Sequence, residues 1–188
     1  MYDSSCDSRP AHLKRTLYHF HFCCGLGGGA RGFNRARPVV GNVEARWECL
    51  GGVDVDPAGL RDFERLAGVP GTLLDLFTRD QYIRFHGQEP PAGWREASAD
   101  DVRRAAQNLR PDAVFISSPC KGASGLLSEA TSKTPKYQAL NELTLRCIWG
   151  ARRIRKKSYA KVFRASVGAE TSRLPVCGSA ARRNRRLG

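Results

Sequence analysis

Three groups of residues in this 188-residue chain have the types and spacing that chemistry needs. The first is a cysteine behind a proline. The stretch AVFISSPCKGASGLL runs from apolar residues through two serines to Pro119-Cys120, then to Lys121 and a glycine-serine loop. Proline stiffens the backbone ahead of the thiol. A thiolate held at a strand end is a nucleophile, and a packing cysteine at a turn is the plainer alternative. The second group is the glycine run CCGLGGGARG. Closely spaced glycines after a strand let the backbone pass close to a ligand, with a helix N-terminus following. Gly27-x-Gly29-x-x-Gly32 fits the dinucleotide-binding pattern, Gly25-x-Gly27-Gly28 does not, and a tight turn without a ligand stays open. The third group is acidic. In GGVDVDPAG, Asp54 stands at a strand tip, where a ribose hydroxyl pair would be held, or as a solvated strand end. Asp56-Pro57 reads as the cap and first residue of a helix. In LLDLF, Asp75 could accept from an adenine amino group or simply precede a helix.

The elements that must position these groups alternate between strand and helix. RTLYHFHFCC (15–24) is β-rich and runs into the glycines. WECLGGVDV (47–55) is a second strand. DPAGLRDFERLAG (56–68) puts Leu60, Phe63, Leu66 and Ala67 on one helical face, with Gly68 as a stop. GTLLDLF (71–77) is a short strand, TRDQYIRFHG (78–87) a helix from a capping Thr78 to Gly87, and EPPAGW a turn-rich loop. SADDVRRAAQNL (98–109) is a helix capped by Ser98, with acids in its first turn. DAVFIS (112–117) is a continuous apolar strand of the buried kind, and KYQALNELTLRCIWGA (136–151) an amphipathic helix. This alternation predicts an α/β fold with an open, mostly parallel sheet. Such sheets bind ligands at the C-terminal ends of their strands, where the strand order reverses.

Glycine loop, acid, acid and Pro-Cys on successive strand ends resemble the motifs of the DNA cytosine-5 methyltransferases. HFCCGLGGGARGF (21–33) is similar to the family's first motif, Asp-Leu-Phe-Cys-Gly-x-Gly-Gly, three residues, then Gly-Phe. It departs at His21, where the family has Asp, and at Cys23, where it has an adenine-stacking Phe. VDVDPAG resembles the second motif, LLDLF the third, and ISSPCKGASGL the catalytic loop, with Lys121 in place of Gln and Ala123 in place of Phe. The wording, including KYQALNELTLR, is most similar to a prokaryotic or phage-type branch, over about residues 16–150.

The resemblance implies an incomplete Rossmann-like, S-adenosyl-L-methionine-dependent methyltransferase fold: a flexible N-terminus (1–15), a partial catalytic domain (16–150) and a basic, disordered tail (151–188). It implies that Cys120 adds to C6 of a cytosine in DNA, so that C5 takes the cofactor's methyl group. It also implies cofactor contacts from Cys24 (through its backbone only), Gly25, Leu26, Gly27, Gly28, Asp54, Asp75 and Pro119. Gly122 and Gly125 would let the loop close over a flipped-out base.

Charge and cysteine usage set the surroundings. The net charge is +13, but twelve of the 31 basic residues and one of the 18 acidic residues fall in 151–188. The tail therefore carries +11 and the first 150 residues only +2. Such a tail reads as a disordered, nonspecifically basic end or as an arm that grips nucleic acid. Seven cysteines with no CxxC pair argue against a zinc site or a disulfide framework. There is no signal-peptide pattern and no run approaching the roughly 18 apolar residues of a membrane span. A cytoplasmic protein with no metal and no membrane partner is expected.

The family's Glu-Asn-Val motif, whose acid protonates cytosine N3, would follow the 136–151 helix, and an Arg-x-Arg motif and a target-recognition region would come after it. After Trp149 no Glu-Asn-Val is found; the one Glu past position 142 is Glu170, in GAETS. The passage into GARRIRKKSYAKVFR is abrupt, as a frameshift or a premature end of a longer gene would make it. The expectation is a methyltransferase by descent whose action on DNA is impaired and which a second polypeptide could complete. The other reading is a non-catalytic remnant with a partial cofactor pocket and a tail that binds nucleic acid nonspecifically.

Overall fold

The computed structural model describes residues 13–121 and 127–155. Five strands form one sheet: β1 (Leu13–Phe22), β2 (Val39–Val40), β3 (Val43–Asp54), β4 (Gly71–Leu73) and β5 (Ala113–Ile116). The helices are α1 (Gly28–Arg35), α2 (Pro57–Ala67), α3 (Arg79–His86), α4 (Ala99–Ala105), α5 (Glu129–Ser132) and α6 (Pro135–Arg155). The chain is thus α/β, as expected. The strand order is β2-β3-β1-β5, with β4 also on β3. β4 pairs with the C-terminal end of β3 and β2 with its N-terminal end. β1, β3, β4 and β5 run parallel and β2 antiparallel. The chain steps outward from β1 through β3 to β4, then returns to the other side of β1 for β5, so the order reverses between β1 and β5. No helix among the described residues is long and apolar enough to cross a membrane.

The sheet is covered on both faces, and β1 shows how. Its even positions, Phe20 and Phe22, are fully buried in a core with Leu50, Val53, Leu76, Val102, Cys147 and Ile154, which brings α4 and α6 onto one face. Its odd positions, His19 and His21, are equally buried on the other face, under α1 and α2. Residues two apart share a face of a strand. The histidines are buried because they are bonded. Asn34 of α1 donates through Nδ2 to the Ala67 carbonyl at 2.8 Å. This fixes its Oδ1 as acceptor for His19 Nε2 at 2.9 Å, so His19 Nδ1 accepts from His21 Nε2 at 2.7 Å.

Several boundaries differ from those the sequence predicts. β1 begins at Leu13, inside the segment expected to be flexible, with Leu13 N–H bonded to the Asn42 carbonyl at 2.8 Å. Its first four residues are exposed, so the β-ladder holds them without any core pattern to announce it. β4 stops at Leu73 rather than continuing to 77, because the Asp75 side chain turns the chain by accepting from Phe77 N at 2.9 Å. α4 ends at Ala105, not 109. Gln107 and Asn108 take left-handed conformations, and the Gln107 amide donates to the Leu50 carbonyl at 2.9 Å. α6 continues to Arg155, past the expected start of the tail at 151. The remainder of the tail, Cys6, Cys177, Gly122, Ala123 and Gly125 lie outside the described residues.

Candidate functional site

The C-terminal ends of all four parallel strands open on one cleft of about 810 Å³. The glycine loop forms one wall. β1 ends at Phe22 and the backbone turns over at Cys23 and Gly25, both with φ of 50°. Gly27, at φ 88°, is the N-cap of α1. A Cβ there would lie 3.0 Å from the Phe63 Cα, so glycine is required both by conformation and by the approach of α2.

Asp54 ties this loop to the end of β3. One carboxylate oxygen accepts from Gly25 N at 2.8 Å, and the other accepts from Val55 N at 2.8 Å and Asp56 N at 3.1 Å. A carboxylate has about four acceptor positions, so three serve the backbone and one is left for a ligand hydroxyl. Asp56 is the helix cap that the sequence indicates, accepting from Ala58 N at 2.9 Å with Pro57 next in line.

Aromatic side chains form the opposite wall. Tyr82, Phe85 and His86 project from α3, and Trp94 joins them from the loop that follows. Tyr82 stacks on His86 with centroids 4.2 Å apart and lies 5.2 Å from Trp94. Asp75 stands below them. Its carboxylate accepts from Trp94 Nε1 at 3.1 Å as well as from Phe77 N. α6 closes the floor with Leu140 and Leu143 and is latched to α3 by Arg84, which reaches the Glu142 carboxylate at 2.5 and 3.1 Å. Arg146 of α6 donates to the Leu76 carbonyl at 3.0 Å.

The sequence-derived site residues divide between cleft and surroundings. Gly25, Asp54, Asp75 and Pro119 line the cleft. Cys24, Leu26, Gly27 and Gly28 do not. Leu26 is 60 % exposed, and Cys24 packs under the loop against Gly52. Cys23, which carries the departure from the family's first motif, does line it. Sequence reasoning passed over the aromatic wall, although the spacing of Tyr82, Phe85 and His86 at i, i+3 and i+4 was a signal that they share a helix face.

Cys120 follows Pro119 on the strand-end loop and is exposed. Ser118, two residues earlier, anchors that loop to α6 through a 2.6 Å hydrogen bond with Thr144. The other described cysteines are half-buried or buried. The contact with Cys147, 3.8 Å between sulfurs, together with burial, holds the Cys23 thiol well above its ordinary range. Burial pushes Cys24 up to about 12 and Cys49 up to about 11. Cys147 is fully buried. Among the described cysteines Cys120 is the exposed one.

No protein-family model and no curated protein matches this sequence.

Proposed function

We propose that the described residues form the S-adenosyl-L-methionine-binding portion of a DNA (cytosine-5-)-methyltransferase, with Cys120 as its nucleophile. One observation carries this reading. Gly25, Asp54, Asp75 and Pro119, spread over some ninety residues of chain, meet at one cleft at the strand ends. The parallel order β4-β3-β1-β5, reversing beside β1, supports this reading, because open α/β sheets bind ligands at such a reversal.

The cleft suits the cofactor. Its volume lies within the roughly 300–1,000 Å³ range of small-molecule sites. Tyr82, Phe85, His86 and Trp94 offer faces on which an adenine can stack, and Asp75 keeps acceptor capacity beside them. The free acceptor position of Asp54 suits a ribose hydroxyl. When bound, S-adenosyl-L-methionine supplies an electrophilic methyl group.

The chain's own part in the chemistry falls to Cys120. Its thiolate forms a bond to cytosine C6, which makes C5 electron-rich; loss of the C5 proton later lets the thiolate leave and restores the ring. Pro119 limits the freedom of the backbone that holds it. The acid that would assist C6 addition is not among these 188 residues. General-acid assistance contributes about 10²–10⁴-fold, so methyl transfer by these 188 residues alone should be slow by about that factor.

Calorimetric titration with S-adenosyl-L-methionine tests the cofactor assignment. Binding is expected, weakened about tenfold or more by Asp75→Ala and by Trp94→Ala. Absence of binding, or equal binding by all three proteins, would remove the cofactor from this cleft. The purified chain alone should transfer no measurable labelled methyl group to duplex DNA. Transfer that Cys120→Ser abolishes would show that no partner is needed.

A further inference from the structure

The buried histidine face of the sheet holds a feature the proposed methyltransferase chemistry does not use. His19 and His21 share one face of β1, and Cys49 lies beside His19 in register on β3. All three are buried, and a ring nitrogen from each histidine and the Cys49 sulfur lie within 4.8 Å of one another. Metal–nitrogen and metal–sulfur bonds of about 2.0–2.3 Å hold ligand atoms about 3.3–4 Å apart. The pair of histidine nitrogens at 2.7 Å would open slightly and the sulfur would move in. Two adjacent parallel strands thus present two imidazoles and a thiol to one point.

The surroundings match the outer layer of a metal site. A ligating imidazole generally donates its other N–H to a fixed acceptor. His19 does so through Nε2 to Asn34 Oδ1, which the Ala67 carbonyl holds in place. Aromatic rings fill the remaining sides. Phe33 stacks on His19 at 4.8 Å, and Phe115 and Phe63 contact His21 at 5.3 and 6.2 Å.

We propose that His19, His21 and Cys49 bind one cuprous ion. Two arguments select it over zinc. Among the described residues the cluster offers three ligands, which suits a trigonal two-nitrogen, one-sulfur copper site, whereas structural zinc takes four. A singly charged ion with one thiolate and two neutral imidazoles is also electrically neutral, and an apolar shell penalises any residual charge. Loading releases the Cys49 thiol proton to solvent and moves the His21 proton from Nε2 to Nδ1, with no change of oxidation state. The bound ion joins β1 to β3 just below the glycine loop.

The test is anaerobic reconstitution of the reduced full-length chain with Cu(I), in competition with a colorimetric cuprous chelator, followed by X-ray absorption spectroscopy. One tightly held equivalent with two nitrogen and one sulfur neighbours is expected, with a rise of several degrees in melting temperature. Cys49→Ser should abolish that equivalent, and Asn34→Ala should weaken it about 10–100-fold. Cys147→Ser should leave it intact. A shell of sulfur only, or loss on Cys147→Ser, would place the ion at Cys23 and Cys147 and overturn the proposal. Retention of Zn(II) but not Cu(I) by the same three residues would overturn the cuprous assignment, and no retained metal at all would leave the trio a hydrogen-bonded core cluster.

Discussion

The two faces of β1 solve the same problem with different chemistry. One face buries Phe20 and Phe22, and the other buries His19 and His21, two residues apart in each case. On the phenylalanine face nothing has to be satisfied except volume. α4 and α6 cover it with Val102, Cys147 and Ile154, and α6 comes close enough that Gly150 faces the Phe22 ring. On the histidine face every polar atom brought under α1 needs a partner, since an unmade buried hydrogen bond costs more than a made one gains. The chain from Ala67 through Asn34 and His19 to His21 provides those partners. A volume-packed face should fail through cavities and clashes, and a bonded face through single orphaned atoms.

The largest effect should come from the volume-packed face. Phe22→Ala leaves a cavity at a fully buried site and should cost about 3–5 kcal/mol in urea unfolding. Gly150→Ala tests the same contact from the other side. Its new Cβ would stand 2.8 Å from the Phe22 ring, and overpacking of this kind costs about 1–3 kcal/mol. The double variant should lose less than the two single losses added, because the alanine methyl then has room. Simple additivity would mean that Gly150 and Phe22 do not share one packing site.

The histidine face should respond more modestly. Asn34→Ala orphans His19 Nε2 and the Ala67 carbonyl and should cost about 1–3 kcal/mol, measured the same way. An Asn34→Ala protein as stable as the parent would remove the distinction between the two faces, because the buried imidazoles would then be held by packing alone.

This contrast also explains what could be read from the sequence. Elements held by periodic apolar burial or by capping residues were legible. α2 carries Leu60, Phe63 and Ala67 on its buried face and opens at Asp56-Pro57, and α3 starts in a capping box at Thr78 and stops at Gly87. Elements held by backbone pairing were not. β2 has two residues, both exposed, and the first four residues of β1 carry no core pattern. In the candidate site Gly25 and Asp54 were legible at the strand ends, whereas Cys24, Leu26, Gly27 and Gly28 were expected at the cleft and do not line it. The aromatic wall was missed because Tyr82, Phe85 and His86 are ordinary helix residues until Trp94 comes back to meet them. His19 and His21 read as part of a β-rich run, and only the fold brings Asn34 and Cys49 to them.

The smallest predicted effect concerns Asp101, a strongly bonded acid beside the phenylalanine face. Asp101 sits in the first turn of α4, next to buried Val102. Its carboxylate accepts from Arg95 at 2.6 and 2.7 Å, from Ser98 N at 2.8 Å and from Ser98 Oγ at 2.6 Å, and it pairs with Arg104. The hydrogen bonds from Arg95, and then that from Ser98, hold its carboxyl far below the usual aspartate range. A depressed folded-state value means that the unfolded chain takes up the proton first as pH falls. The stabilisation is therefore complete above about pH 4–5 and is lost as pH falls through the ordinary aspartate value of about 3.9 toward the lower folded one. Both arginine partners are about two-thirds exposed, so solvent screening keeps the contribution small, about 1 kcal/mol at neutral pH. Asp101→Asn should lose that amount at pH 7 in urea unfolding and close the gap to the parent protein by pH 2–3. It should leave the effect of Asn34→Ala unchanged, since the two residues act on opposite faces of the sheet. A pH-independent difference between Asp101→Asn and the parent would mean that the capping geometry, not the charge, is what Asp101 contributes.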